Sequence, residues 1–372
     1  MIMPLFKYEA AVAKCRCLYG RLLGAVDYEK LLLCPEVSDV AAYLYENTGY
    51  REFFGASDLR KINRNKLEYY IKKSLLYDYI KMFRFTFGNQ RHFVNLLMAK
   101  YELEYILKIW REYVWRNLEN NPVQKEGDDY LLSEGILEIQ AIYKDNPNID
   151  LEALKNIATA GQFMGAIQNS DFFYIFEKHM TDDISKNYTV IETAVYDEYY
   201  RILYDGAKAF EKKTGDRIRD SISTKADLIN LCRISRMRFN FKAAPDKIAA
   251  LLVPLRNRLK EGDIEALSKC DDRESFLGYC EANLYYGKKQ SFYKYDSMSA
   301  YMNSFMYGYC KSGGAAFGFE SVARYFQLKE FEVMNLFYLT EGIRYQMPPA
   351  QIRKNIYGLE HFAQKGDGPN WR

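Results

Sequence analysis

Residues 332–336 read Glu332-Val333-Met334-Asn335-Leu336, an acid followed by an apolar-rich string. The pattern also stands earlier, as Asp227-Leu228-Ile229-Asn230-Leu231 and as Glu102-Leu103-Glu104-Tyr105-Ile106. Carried one turn further, each string gives an i, i+3, i+4, i+7 stripe. The stripes are Leu103/Ile106/Leu107/Trp110, Leu228/Leu231/Cys232/Ser235 and Val333/Leu336/Phe337/Thr340. Side chains so spaced share one face of an α-helix, so each string predicts a helix with one buried side. Asp227 has a local reading too, because Thr224-Lys225-Ala226-Asp227 has the form of a capping box.

A second pattern precedes each acid string. A helix ends in small polar residues followed by an aromatic: Asn47-Thr48-Gly49-Tyr50, Asn169-Ser170-Asp171-Phe172 and Asn283-Leu284-Tyr285. Two polar stretches divide the chain between these pairs of patterns. One is Glu119 to Asp129, with Pro122 and Gly127; the other is Asn240 to Asp246, with Pro245. Two patterns in one order, separated by joints, predict an internal triplication into helical domains 1–122, 123–244 and 245–372. Solenoid repeats are far shorter, about 20–50 residues.

Helical spacing extends beyond these strings. Leu67, Ile71, Leu75, Tyr79 and Met82 form one stripe, while alternating strand patterns are rare. The expected fold class is all-α. Hydrophobic residues make up 48% of the 372, ample for buried cores. The chain has 33 Tyr, which suit helix faces packed at one end and wet at the other.

Charge and targeting signals exclude several classes. Lys and Arg total 52 against 49 Asp and Glu, and a net +3 does not predict a nucleic-acid partner. The seven cysteines are scattered and form no CxxC pair, which fits reduced thiols. Cys15 and Cys17 would point in different directions on a helix. The opening residues lack the pattern of a signal peptide. Ile248 to Leu255 is about the longest uncharged apolar stretch and contains Pro254, so no membrane span is expected.

No catalytic, cofactor-binding or metal-binding residue is assigned. His92, His179 and His361 are far apart and form no HExxH pair, so surface or helix-end positions are expected. Ser312 to Gly318, with Gly313 and Gly314, lacks the Gly-Lys-Ser/Thr of a phosphate loop and reads as an interhelix loop. Asp128-Asp129, Asp182-Asp183 and Asp271-Asp272 do not continue as DDxxD and read as loop or helix-start acids. Arg233, Arg236, Arg238 and Lys242, interleaved with Phe239 and Phe241, are the densest basic-aromatic cluster. A solvated helix face or a contact with an acidic partner is expected there, rather than nucleic acid.

These residues resemble the C subunits of bacterial and archaeal V/A-type ATPases, counterparts of the eukaryotic d subunit. The resemblance is strongest over Tyr325-Phe-Gln-Leu-Lys329-Glu330-Phe-Glu332-Val-Met-Asn335-Leu336, and the opening residues Tyr8, Ala13, Arg16, Leu22 and Leu23 also fit the family. It implies three similar helical domains around a pseudo-threefold axis, funnel-shaped. It implies a non-catalytic rotor subunit that carries torque from the central shaft subunits to the membrane ring. The expected position is peripheral, on the cytoplasmic face of the membrane, with no cofactor, nucleic acid or small-molecule substrate. A generic α-helical scaffold and a soluble all-α enzyme are the rival readings. Over 100 residues per repeat argues against a solenoid scaffold, and an enzyme would need titratable groups converging in a deep apolar pocket.

Overall fold

The computed structural model describes residues 8–55, 58–119, 149–150, 153–154, 157–179, 184–312 and 318–359. The first helices are α1 (Glu9–Tyr19), α2 (Ala25–Leu31), α3 (Val37–Asn47), α4 (Arg51–Phe54), α5 (Arg64–Phe83) and α6 (Asn89–Glu119). Then come α7 (Ala160–Ala166), α8 (Phe173–His179), α9 (Ile184–Gly206), α10 (Lys212–Phe239) and α11 (Pro245–Ile248). The last are α12 (Glu261–Ser268), α13 (Arg273–Asn283), α14 (Tyr285–Lys289), α15 (Met298–Ser312), α16 (Glu320–Arg344) and α17 (Pro349–Arg353). Helix accounts for 77%, and no strand occurs among the described residues, so the all-α expectation holds.

The predicted stripes explain why these segments are helical. Leu67, Ile71, Leu75, Tyr79 and Met82 are all buried on α5, each contributing about 1.5–3 kcal/mol by leaving water. Asn63 starts that helix by accepting the Lys66 N–H at 2.9 Å. Leu103, Ile106, Leu107 and Trp110 are buried on α6. On α10 and α16 the stripes run partly to the surface: Cys232, Ser235 and Phe337 are only half-buried.

The capping-box reading of Thr224 and Asp227 is corrected. Both lie well inside the 28-residue α10, whose N-cap is Glu211. A Ser/Thr-x-x-acid spacing marks a helix start only where the first backbone N–H groups are unpaired. Thr159 with Gln162, at the start of α7, does form a capping box.

The chain forms two compact units, one of residues 1–90 with 207–372 and the other of residues 91–206. In the larger unit α16 packs against α1, α3, α5, α10, α15 and α17. Most of it is buried, with Tyr325, Phe326, Leu328, Leu336 and Leu339 at 3% exposure or less, while Gln327, Glu330, Met334 and Tyr338 mark one partly exposed stripe. Tyr79 of α5 stacks on Phe326 with ring centres 3.7 Å apart. A second cluster gathers α10 with α12, α13 and α15 around Leu231, Leu267, Phe276, Phe292 and Tyr301.

The smaller unit has its own aromatic centre. Trp110 of α6 meets Phe163 of α7 at 4.8 Å and Phe176 of α8 at 6.1 Å. Tyr199 of α9 donates to the Leu97 carbonyl at 3.3 Å. At Gly206, the last residue of α9, a Cβ would lie 2.5 Å from Leu96 Cδ1, so the absence of a side chain permits the close approach.

Candidate functional site

The acids of the repeated strings lead to the polar interior. Glu332 is 4% exposed on α16. Its Oε2 accepts the Leu23 N–H at 2.5 Å, and its Oε1 accepts the Tyr50 hydroxyl at 2.7 Å. Lys329, one turn earlier and 5% exposed, donates to Glu332 Oε1 at 2.6 Å and to the Tyr50 hydroxyl at 3.0 Å. Its ammonium also faces the Tyr50 ring, 4.4 Å from the centroid. Burial pushes the Tyr50 phenol well above its ordinary range, so it stays a donor. Asp78 of α5 accepts the Tyr325 hydroxyl and feels Lys329; burial raises its carboxyl pKa against those two influences.

Asp227, fully buried on α10, is held by a matching set of groups. Its carboxylate accepts the N–H groups of Asn257 (3.1 Å), Arg258 (2.6 Å) and Leu259 (2.9 Å), and the Tyr286 hydroxyl at 2.6 Å. Burial raises this carboxyl, opposed first by the Tyr286 hydroxyl and then by the backbone donors. Leu259 immediately precedes the residue before α12, just as Leu23 does for α2.

The correspondence extends through both neighbourhoods. Tyr43 donates to Asp27 at 2.9 Å and Tyr279 to Asp263 at 3.0 Å. Asn47 and Asn283 each donate to the carbonyl four residues back, Tyr43 and Tyr279, at 3.2 Å. Asn335 clasps the Tyr357 backbone, accepting at 2.8 Å and donating at 2.9 Å. Asn230 clasps Val253 the same way, at 2.8 and 3.1 Å. One pair is inverted: Tyr325 of α16 donates to Asp78 of α5, whereas Tyr309 of α15 donates to Asp220 of α10 at 2.6 Å.

The aromatic expected to match Tyr50 is corrected. Tyr285 is 43% exposed, while Tyr286 is 1% exposed and reaches the acid. The step from Asn47 to Tyr50 equals that from Asn283 to Tyr286, a spacing legible in the sequence. Phe172 follows Ser170 as Tyr50 follows Thr48: in each, the aromatic's N–H bonds that hydroxyl at 3.2 Å. The third acid, Glu102, lies half-buried on α6 of the smaller unit. Burial, and then the charge of Asp171, push its carboxyl up to about 7.

The remaining candidates lie apart from these acids. His92 is exposed on α6, and His179 is the last residue of α8; His361 lies outside the described residues. So do Asp128, Asp129, Asp182, Asp183, residues 313–317 of the glycine-rich run and nearly all of the Glu119–Asp129 joint. Asp272 is a helix-start acid, accepting the Ser275 N–H at 2.7 Å, which lowers its carboxyl pKa. The basic-aromatic cluster is partly absorbed by structure. Arg233 donates to the Leu251 carbonyl and Arg238 to that of Cys270, both at 2.9 Å, and Phe239 packs on Phe276. Arg236, Phe241 and Lys242 remain exposed at the end of α10.

The nearest cavity is of water size and is bounded by Leu23, Tyr28, Lys311, Glu332 and Asn335. Burial pushes the Cys15 and Cys310 thiols up to about 12, far from nucleophilic thiolates. All seven cysteines are free; Cys15 is buried and Cys17 exposed, as the helical spacing predicts. Among the described residues no group of three or more His, Cys, Asp or Glu is placed to hold a metal, and no helix is long and apolar enough to cross a membrane.

The interior bonds at Glu332 and Asp227 join helices to loops and to other helices. A family model described as the ATP synthase (C/AC39) subunit matches residues 11–355, nearly the whole chain, and the chain belongs to that family. The family is a non-catalytic subunit of V/A-type ATPases. No curated protein matches the chain.

Proposed function

We propose that the chain is the central-rotor subunit of a V/A-type rotary ATPase, joining the central shaft to the membrane ring of ion-carrying subunits. It transmits torque between them for ATP-driven proton or sodium transport, or for ATP synthesis in reverse. The observation that carries this reading is the family match over residues 11–355. The partners are the shaft subunits on one side and the ring subunits on the other. Attachment to the membrane is peripheral, through the ring and on the cytoplasmic face.

The same proposal includes three helical domains, 1–122, 123–244 and 245–372, in a funnel about a pseudo-threefold axis. The paired clasps at Asp227 and Glu332, with Phe172 in the local turn of Tyr50, support the repetition. A torque carrier must be stiff, and close-packed aromatic interiors with fixed polar clasps favour stiffness.

Gentle solubilisation of membranes carrying the tagged protein tests the role. Shaft and ring subunits should co-purify with it, and the isolated chain should hydrolyse no ATP. Reproducible recovery of the chain without either partner would overturn the proposal.

A further inference from the structure

The two units differ in charge. The larger holds 41 Lys and Arg against 29 Asp and Glu, while the smaller holds 11 against 20. Part of the basic surplus gathers over the Asp227 clasp. Tyr285, Lys288 and Lys289 of α14 stand at i, i+3 and i+4, so they share one helix face. Tyr285 is 43% exposed, and both Arg258 and Lys289 lie over its ring, 5.4 and 5.5 Å from the centroid. Arg256 and Arg258 flank Asn257, whose amide donates to Asp220 at 3.0 Å and to Thr224 at 2.8 Å. All four cations are exposed, and none forms an ion pair among the described residues. Two bordering acids have other donors: Asp220 holds the Tyr309 hydroxyl and Glu281 the Phe292 N–H. Glu261, the exposed acid closest in sequence to Arg258, stands beside Lys260.

The corresponding surface of the first segment shows that the clasp does not need these charges. Counted from Leu23 and Tyr50, which match Leu259 and Tyr286, the same positions hold Gly20, Leu22, Gly49, Glu52 and Phe53. Charges there cancel within the chain, since Glu52 pairs with Lys81 at 2.5 Å and with Arg21 at 3.6 Å.

We propose that Arg256, Arg258, Tyr285, Lys288 and Lys289 form a contact surface for the anionic phospholipid headgroups of a membrane. Such headgroups complement four cations that have no carboxylate partner, and an exposed phenol suits the boundary between headgroup and acyl chain. An acidic peptide would need a groove or a sheet edge to hold it, whereas a bilayer surface needs neither. Lys is depleted in protein–protein interfaces, but each Lys adds attraction at an anionic membrane. The bonds of Asn257 and Asp227 fix the loop beforehand, so little freedom is lost on contact. The choice of a membrane as occupant rests on the peripheral position proposed above; the patch itself rests on the geometry.

Co-sedimentation of the full-length chain with vesicles tests the contact. The chain should bind vesicles of phosphatidylcholine mixed with phosphatidylserine, ignore those of phosphatidylcholine alone, and dissociate as salt rises. Lys288→Gln with Lys289→Gln should weaken binding about thirtyfold and leave the urea midpoint unchanged. Arg60→Gln with Lys61→Gln removes the same charge from the Leu59–Lys61 turn and should change binding less than about threefold. Failure to bind the phosphatidylserine vesicles would overturn the proposal, as would equal weakening by the two pairs of substitutions. A chain that co-purifies with shaft and ring subunits yet ignores these vesicles loses the lipid contact alone and keeps the rotary role. Loss of those subunits from the Lys288/Lys289 variant of such a chain would assign the patch to an acidic protein segment instead.

Discussion

Asp227 on α10 and Glu332 on α16 are two buried carboxylates with corresponding partners and different sources of compensation. Three backbone N–H groups and a phenol hold Asp227. One backbone N–H, a phenol and the ammonium of Lys329 hold Glu332. The residue one turn before each acid makes the difference: Thr224 on α10 and Lys329 on α16. Thr224 accepts from the Asn257 amide at 2.8 Å and so helps fix the loop whose N–H groups converge on Asp227. A tight loop can supply several dipoles to a short Asp. A Glu reaching across distant segments needs a full charge to compensate its burial.

Removing the acceptor where the donors are backbone should have the largest effect. Asp227→Ala leaves three N–H groups and the Tyr286 hydroxyl without their acceptor, and a loss of about 4–5 kcal/mol is expected in urea unfolding. A loss near 1 kcal/mol would mean that water replaces the carboxylate, and the comparison would fail. Lys329→Met comes next, at about 3 kcal/mol, because Glu332 and Asp78 stay buried without that cation. Adding Glu332→Gln should recover most of this, since the Gln oxygen still accepts from Leu23 and its NH2 can donate to the Tyr50 oxygen that Lys329 no longer occupies. No recovery would show that the lysine stem's packing matters and its charge does not.

The asparagine clasps sharpen the comparison from its neutral side. Asn230→Ala and Asn335→Ala each break a two-bond clasp in a buried setting, and each should cost about 2 kcal/mol. Unequal losses would show that the matching geometry hides unequal burial or slack in the clasped segments.

Glu102, the third acid, should give the smallest effect and a different kind. Its folded-state pKa of about 7 lies above the ordinary 4.5, so the native chain binds more protons than the unfolded chain between those values. Its contribution therefore falls as pH rises from 4.5 to 7, by about 1–2 kcal/mol after allowance for partial exposure. Glu102→Gln should flatten that slope in stability measured across the window. An unchanged slope would place the titration elsewhere.

Much of this was legible in the sequence. The stripes on α5 and α6 were readable because apolar periodicity is a local property of a helix. So were the three acids, and the pairing of Asn230 with Asn335. Tyr105 occupies the corresponding place on α6, and no amide clasp was to be expected there. The Tyr286 match was within reach through the Asn-x-x-Tyr step. The partners of each acid were not, because Leu23 and Arg258 contribute backbone N–H groups, which carry no residue signature. The false capping box at Thr224 arose for the related reason that the same spacing occurs inside helices.

The sequence alone determined an all-α chain without a membrane-spanning helix among the described residues, and it carried the resemblance that the family match sustains. Those properties follow from composition and from spacing over a few residues. Only the tertiary structure decided that Glu332 meets Leu23 and Tyr50, that Asp227 lies mid-helix, and that residues 1–90 join 207–372 in one unit. Such contacts join residues hundreds of positions apart. Their selection depends on which faces exclude water together, which no single helix specifies.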